Sequence, residues 1–319
     1  SVPTWRRREK LNIDYLGFFI SVIFISGFVL GFMEAPNWGW TSLPIMGLFL
    51  LSIISLITFI GWEKKIPHPL VELTLFKNLT FTTLFSVLLI IQAVAIVFVF
   101  LAIFLQNVLH YSPLMAGLLL LPAMVPIMLM APVGGHLRDK YGPTLPMFCG
   151  ALLVVLSLIW IAIFSHNRGY AWLFPGLLVY GIGMPLILSG IMATVMNMVN
   201  AQQRGMASAI FNCARQFGNT IGLALLTGLL ASVNKWQLNS FLHHSPVPLS
   251  RLKEQQIDGL LVQSDQAMKA IAHLSLAHIE LLKTAALNAY TNAFSMTLLA
   301  AAILAFLSLF LILKIPRKQ

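Results

Sequence analysis

Arg215 stands near the middle of an apolar stretch, Gly205 to about Ala231, that is long enough to cross a bilayer. A charge at the centre of such a helix costs roughly 2.5–3.5 kcal/mol even on the lenient insertion scale, so a chain keeps one where it faces protein or a watery cavity. Ser208, Asn212, Arg215, Asn219 and Gly222 recur at spacings of four, three, four and three. That period puts them on one helical face, while Ile210, Phe217, Ile221 and Leu225 lie elsewhere on the wheel. A single polar stripe on a membrane helix reads as the lining of a pathway. Its chemistry is recognition: a fixed positive charge, with the amides of Asn212 and Gln216 to orient it. The alternative is a packing role, the guanidinium bonding carbonyls at broken turns of a neighbouring span.

Other chemistries find little support. Cys149 and Cys213 lie in apolar segments with no metal-like or redox-like partner nearby and read as small buried hydrophobes. His243, His244, His273 and His278 match no metal-binding spacing and read as solvated loop histidines. No Ser-His-Asp set, metal cluster or phosphate loop is found in the membrane part, so an enzyme is not expected and no cofactor is implied.

The elements that must hold the stripe follow from composition. Apolar residues make up 58% of the 319 and charged residues 9%, against about 25% charged in a soluble domain. The fold class is all-α, a polytopic membrane protein. About eight transmembrane helices are expected, near 15–33, 43–62, 80–105, 114–133, 146–164, 171–195, 205–231 and 288–313. The +10 net charge is read through loop placement and not as a nucleic-acid signal. Arg6, Arg7, Arg8 and Lys10 precede the first span; Lys64, Lys65 and Lys77 follow the second; Arg138 and Lys140 the fourth; Arg204 the sixth; Lys314, Arg317 and Lys318 the eighth. The alternate short loops hold only Arg168. Both ends are therefore expected in the cytoplasm, the 234–283 stretch outside, and the protein in a cytoplasmic (inner) membrane. Trp38, Trp40, Trp62, Trp160, Trp172 and Trp236 fall near helix ends, as interfacial residues do. The basic opening has no secretory signal pattern and no initiator Met, so a piece of something longer is expected. In the outer stretch, helical spacing from Leu252 and again around Met268 suggests a hairpin.

Helix breakers gather in three spans. Pro122, Pro126 and Pro132 punctuate the fourth; Gly176, Gly181, Gly183, Pro185 and Gly190 loosen the sixth; Gly218 and Gly222 form a G-x-x-x-G in the seventh. Two readings stand for these residues, tight packing alone and bending helices in a machine that changes shape; for Pro122 and Pro126 bending is preferred. Gln92, midway along the third span, faces either a cavity or a neighbouring helix. Asn288, Tyr290, Asn292 and Ser295 add polarity at the start of the eighth.

After the fourth span the chain reads Gly135-His136-Leu137-Arg138-Asp139-Lys140-Tyr141-Gly142-Pro143. Two glycines allow a tight turn, and Asp139 caps a helix start or pairs with a neighbouring cation, latching two helices. Gly135, Asp139, Lys140 and Gly142 resemble the G-x-x-x-D-[RK]-x-G loop motif of the major facilitator superfamily, without the usual basic pair that follows it. Arg204-Gly205-Met206-Ala207-Ser208-Ala209 followed by Asn212-Cys213-Ala214-Arg215-Gln216-Phe217-Gly218-Asn219-Thr220-Ile221-Gly222 is similar to the signature of its drug:proton antiporter branch with fourteen helices, the EmrB/QacA type. Asp14-Tyr15-Leu16-Gly17, Leu105-Gln106 and Ser112 to Gly117 extend the resemblance over essentially the whole chain.

The resemblance implies the C-terminal part of a proton-coupled exporter of amphipathic organic compounds. A basic segment (1–14), two linker helices with their loop (15–79), a six-helix bundle (80–313) and a short tail (314–319) then follow in order. It further implies partners: the lipid bilayer, small lipophilic substrates, and protons handled by acids in a preceding half. The need for a periplasmic adaptor is left open. The competing class is a non-transporting membrane adaptor or assembly subunit, or a truncated remnant.

Overall fold

The computed structural model describes residues 14–66, 69, 71, 73–201, 203–244 and 276–315. Among the described residues are two short 3-10 helices, Leu73–Lys77 and Ser165–Asn167, and ten α-helices: α1 (Tyr15–Trp38), α2 (Leu43–Glu63), α3 (Leu79–Ala95), α4 (Val97–Asn107), α5 (Pro113–Leu119), α6 (Leu121–Tyr141), α7 (Thr144–Phe164), α8 (Tyr170–Met198), α9 (Arg204–His244) and α10 (Leu276–Leu313). They make eight stretches long and apolar enough to cross a membrane, because α3 with α4, and α5 with α6, each form one broken span.

Local chemistry sets the ends. Asp14 caps α1, accepting from the Gly17 amide at 2.9 Å, and also receives the Trp62 indole N–H at 3.1 Å, which ties the start of α1 to the end of α2. Asn78 caps α3 through the Thr80 amide, and Ser112 caps α5 through Met115 with Pro113 at the first helical position. Gly142 ends α6 at φ +79°, a backbone conformation that suits glycine, and its N–H bonds the Arg138 carbonyl at 2.8 Å.

Glycine decides which helices meet closely. A methyl group on Gly150 would lie 2.6 Å from the Gly183 carbonyl oxygen, and one on Gly183 would lie 2.7 Å from that of Gly150, so α7 and α8 touch backbone to backbone. A methyl on Gly181 would meet the Ala123 carbonyl at 2.3 Å, joining α8 to α6. Gly218 and Gly222 set α9 against α3: methyls there would lie 2.5 and 2.3 Å from the carbonyl oxygens of Leu89 and Ala93. This is the close approach the G-x-x-x-G spacing anticipates. Around these contacts Phe81, Leu84, Phe104, Leu158, Ile187, Phe211 and Phe294 fill the core. The α1–α2 hairpin lies outside it and is joined through Phe24 and Phe28, whose rings pack on Phe217 of α9 at 5.6 and 5.7 Å.

Several expectations are corrected. The seventh span does not end near 231: α9 runs unbroken to His244, 41 residues or about 62 Å. α10 begins at Leu276, not near 288. Much of the expected outer loop that can be described, 234–244 and 276–283, is therefore helix. Asn234, Lys235 and Gln237 interrupt the hydropathy but not the helical period, which continues through buried Leu238 and, in α10, buried Leu282 and Ala286. Gly135 makes no turn: it lies inside α6, where an added methyl would meet open space, and Gly134 is the residue packed against Ser189 and the Pro185 carbonyl. Cys149 and Cys213 are exposed, not buried, because each sits on the outward face of its helix. The side chains of His243, His244, His273 and His278, and the helices expected from Leu252 and Met268, lie outside the described residues.

Candidate functional site

α9 packs against α3, α10 and α1 and leaves a further side open. Phe211 packs against Phe81 and Phe85 of α3 at 5.3 and 6.1 Å, with Gly218 and Gly222 further along the same seam. Phe217 meets α1. The remaining side, with Asn212, Cys213, Arg215 and Gln216, is exposed. Ser208 and Asn219 are half-buried at its edge, and Gly222 is buried. The structure thus keeps Asn212, Arg215 and Gln216 together on an open face, with Ser208 and Asn219 half-buried and Gly222 set against Ala93 of α3.

The interactions on that face differ from expectation. Among the described residues, none hydrogen-bonds to or pairs with the Arg215 guanidinium, and Asn212 and Gln216 do not orient it. Nor does Arg215 bond carbonyls of α8, which α9 scarcely touches: the open face points away from the packed core. Gln92 is set apart from the stripe. It is only 8% exposed, in the α3–α9 seam, where a methyl on Gly218 would lie 2.9 Å from its Cβ.

Depth also shifts. Arg215 lies 11 residues from Arg204 and 22 from Gln237, about 16 and 33 Å along α9. Gln237 marks the far end of the bundle, because Asn292 of α10 donates to its side-chain oxygen at 2.9 Å and accepts from His166, in the turn between α7 and α8, at 2.8 Å. Arg215 is therefore nearer the end that carries Arg204, Lys77 and Arg138.

The loop-motif residues occupy the last turns of α6. Arg138 and Asp139 pair at 2.5 Å as neighbours on one helix, with the Asp139 side chain 66% exposed. The expected latch between two helices is not formed by this pair. Lys140 stacks its ammonium over the Tyr141 ring at 5.1 Å. Of the bending residues, Pro122 sits in the first turn of α6 just past the break at Leu120, while Pro126 and Pro132 lie within α6 and Pro185 within α8. Lacking an N–H, Pro126 leaves the Pro122 carbonyl without its helical donor, and Pro185 does the same for Gly181.

Three groups escape the sequence argument. The Tyr170 hydroxyl donates to the Leu119 carbonyl at 2.8 Å. The far-end network joins Arg168 to Asn288, and His166 and Gln237 to Asn292. The aromatic seam adds Phe32 and Phe49 to Phe24, Phe28 and Phe217. Asn288 and Asn292 were visible as polar residues one turn apart, but their partners are more than 50 residues away in the chain. Among the described residues no group of three or more His, Cys, Asp or Glu side chains could hold a metal ion.

Comparisons with known proteins bear on this arrangement. The sequence profile of the Major Facilitator Superfamily matches residues 1–223. The multidrug resistance protein Stp of Mycobacterium tuberculosis is 30% identical over 75% of this chain and 45% of its own length. The tetracenomycin C resistance and export protein of Streptomyces glaucescens is 27% identical over 66% of this chain and 40% of its own. The multidrug transporter protein MdtP of Bacillus subtilis is 24% identical over 94% of this chain and 59% of its own. The chain spans about half the length of the curated relatives it matches. Among solved structures, a bacterial homologue of the human lysosomal transporter Spinster, in an inward-facing, occupied conformation, aligns over 92% of this chain and 66% of that one. It does so with TM-score 0.54 and 14% identity, a likeness of fold alone.

Proposed function

The chain belongs to the Major Facilitator Superfamily, and from that premise we propose that it forms the second half of a proton-coupled multidrug exporter of the fourteen-helix kind. The names of its relatives, two multidrug proteins and one resistance and export protein, support export of amphipathic organic compounds. In this reading the protein sits in a cytoplasmic membrane with the Arg204 end inward, following the Lys and Arg bias of the short loops. The α1–α2 hairpin links the two halves, and α3 to α10 form one wall of a central cavity.

The observation that carries the proposal is the open face of α9. A membrane-spanning helix that exposes Asn212, Arg215 and Gln216 without partners in its own bundle must meet water, substrate or another part of the transporter there. Facing lipid, the same residues would cost several kcal/mol. The described acids, Asp14, Glu34, Glu63, Asp139 and Glu280, lie at or near span ends, and this reading assigns proton handling to carboxylates outside the described residues.

The test is growth of a pump-deficient host in lipophilic antimicrobials with the intact protein expressed. Wild type raises the inhibitory concentration, Arg215→Ala abolishes most of that gain, and Arg215→Lys retains part of it, since Lys keeps the charge but not the planar five-donor fork. All three reach the membrane. Full resistance from Arg215→Ala would contradict the site. No resistance from wild type at normal membrane levels would favour a non-transporting subunit.

A further inference from the structure

The open face of α9 carries a charge that the described part of this chain does not neutralise. We propose that Arg215 recognises an acidic group on the transported compound, so that the favoured substrates are amphipathic organic anions. The proposal deepens the transport reading and rests on it.

Four observations carry it. First, the described acids are committed elsewhere. Asp14 accepts from Gly17 and Trp62, Glu63 accepts from the Val71 amide, Asp139 pairs with Arg138, and Glu34 and Glu280 lie near helix ends. Second, the residues beside Arg215 on this face are neutral. Asn212 and Gln216 offer amide donors and acceptors, Cys213 a thiol, and α9 bears no further Lys or Arg between Arg204 and Lys235. Third, a guanidinium stays charged at any accessible pH and presents a planar fork that fits a carboxylate or similar anion with two parallel hydrogen bonds. Fourth, the half-buried rings of Phe24, Phe28 and Phe217 flank the face, giving an apolar body somewhere to lie beside the charged group. One fixed positive charge draws anions and repels cations. Among the described residues of this face a quaternary ammonium compound meets the guanidinium and the aromatic rings but no carboxylate.

The experiment compares transport of a fluorescent amphipathic carboxylic acid with its methyl ester by the intact protein in membrane vesicles. Wild type prefers the acid in kcat/KM. In Arg215→Gln the acid-over-ester ratio falls about tenfold or more, the scale of a charge-assisted hydrogen bond. Arg215→Lys keeps part of the preference. Where the variant transports too slowly to follow, quenching of tryptophan fluorescence on binding reads the same ratio. An unchanged ratio overturns the proposal. If both compounds are lost equally, Arg215 pairs with a carboxylate elsewhere in the transporter. If neither is affected, the α9 face is off the transport path: the site falls while transport itself stands. Absence of transport of either compound by wild type is what would overturn the underlying reading. Wild-type preference for a matched quaternary ammonium compound over the acid also overturns the proposal.

Discussion

The Tyr170 hydroxyl and the Leu119 carbonyl are bonded at 2.8 Å across the break between α5 and α6. In an unbroken helix the Ala123 amide would serve Leu119. Here it turns to Leu120 at 3.0 Å, and the Leu119 carbonyl loses its helical donor. Tyr170, at the first residue of α8, supplies the replacement. Tyr170→Phe is expected to lower stability in detergent by about 1–3 kcal/mol, the cost of an unmade bond to a part-buried carbonyl. Thermal unfolding followed by circular dichroism measures it. A melting curve that overlays wild type would show that lipid or water serves Leu119 as well.

The glycines separate into those that backbones touch and those in open space. Gly222→Val puts side-chain atoms against the Ala93 carbonyl, 2.3 Å from the first added carbon, and the α3–α9 seam must open. A loss of about 1–3 kcal/mol or more is expected. Gly135→Ala, at a motif position with free space around it, should stay neutral or gain up to about 1 kcal/mol from helix propensity. Size-exclusion profiles after graded heating rank the two. Equal damage from both would mean that Gly135 has a contact made outside the described residues.

Asp139 pairs with Arg138 on its own helix and is mostly exposed, so the pair contributes about 0–1 kcal/mol. Asp139→Asn should leave membrane levels intact. Transport should slow, because a conformational latch at this end would form in a state other than the one described. Export rate normalised to protein amount is the measurement. Disappearance of the protein from the membrane would assign Asp139 to folding.

Topology rests on the Lys and Arg bias of the short loops. A single cysteine at position 255 should label from outside intact cells, and one at position 140 only after the membrane is opened. The reverse pattern would invert the orientation and place the open face of α9 nearer the outer side.

Much of this architecture is legible in the residues. Twenty-residue apolar runs mark the spans, and Gly218 and Gly222 announce a close helix contact that α3 provides. Hydropathy fails where helix and membrane part company. Asn234, Lys235 and Gln237 lower the apolar score without ending α9, whose period persists to His244. It fails also at Gly135, because a motif shared with turns sits here on a helix. At the site, spacing groups Asn212, Arg215 and Gln216, and the structure keeps them on one open face. What spacing does not give is the neighbour: Gln92 looks equally suited to cavity or seam until Gly218 is found against it. Tyr170 with Leu119, and His166 with Asn292, depend on distant segments meeting, which no local pattern encodes.

The central claim is that the open face of α9 meets water and substrate, not lipid. Gln216 lies on that face, next to Arg215. In a background of Cys149→Ala and Cys213→Ala, the reaction of Gln216→Cys with a charged, membrane-impermeant methanethiosulfonate reagent tests the claim most directly. The account predicts modification from the cytoplasmic side, slowed by a transported compound. Reaction only with a lipid-soluble maleimide, unaffected by any compound, would contradict it and turn that face toward the bilayer.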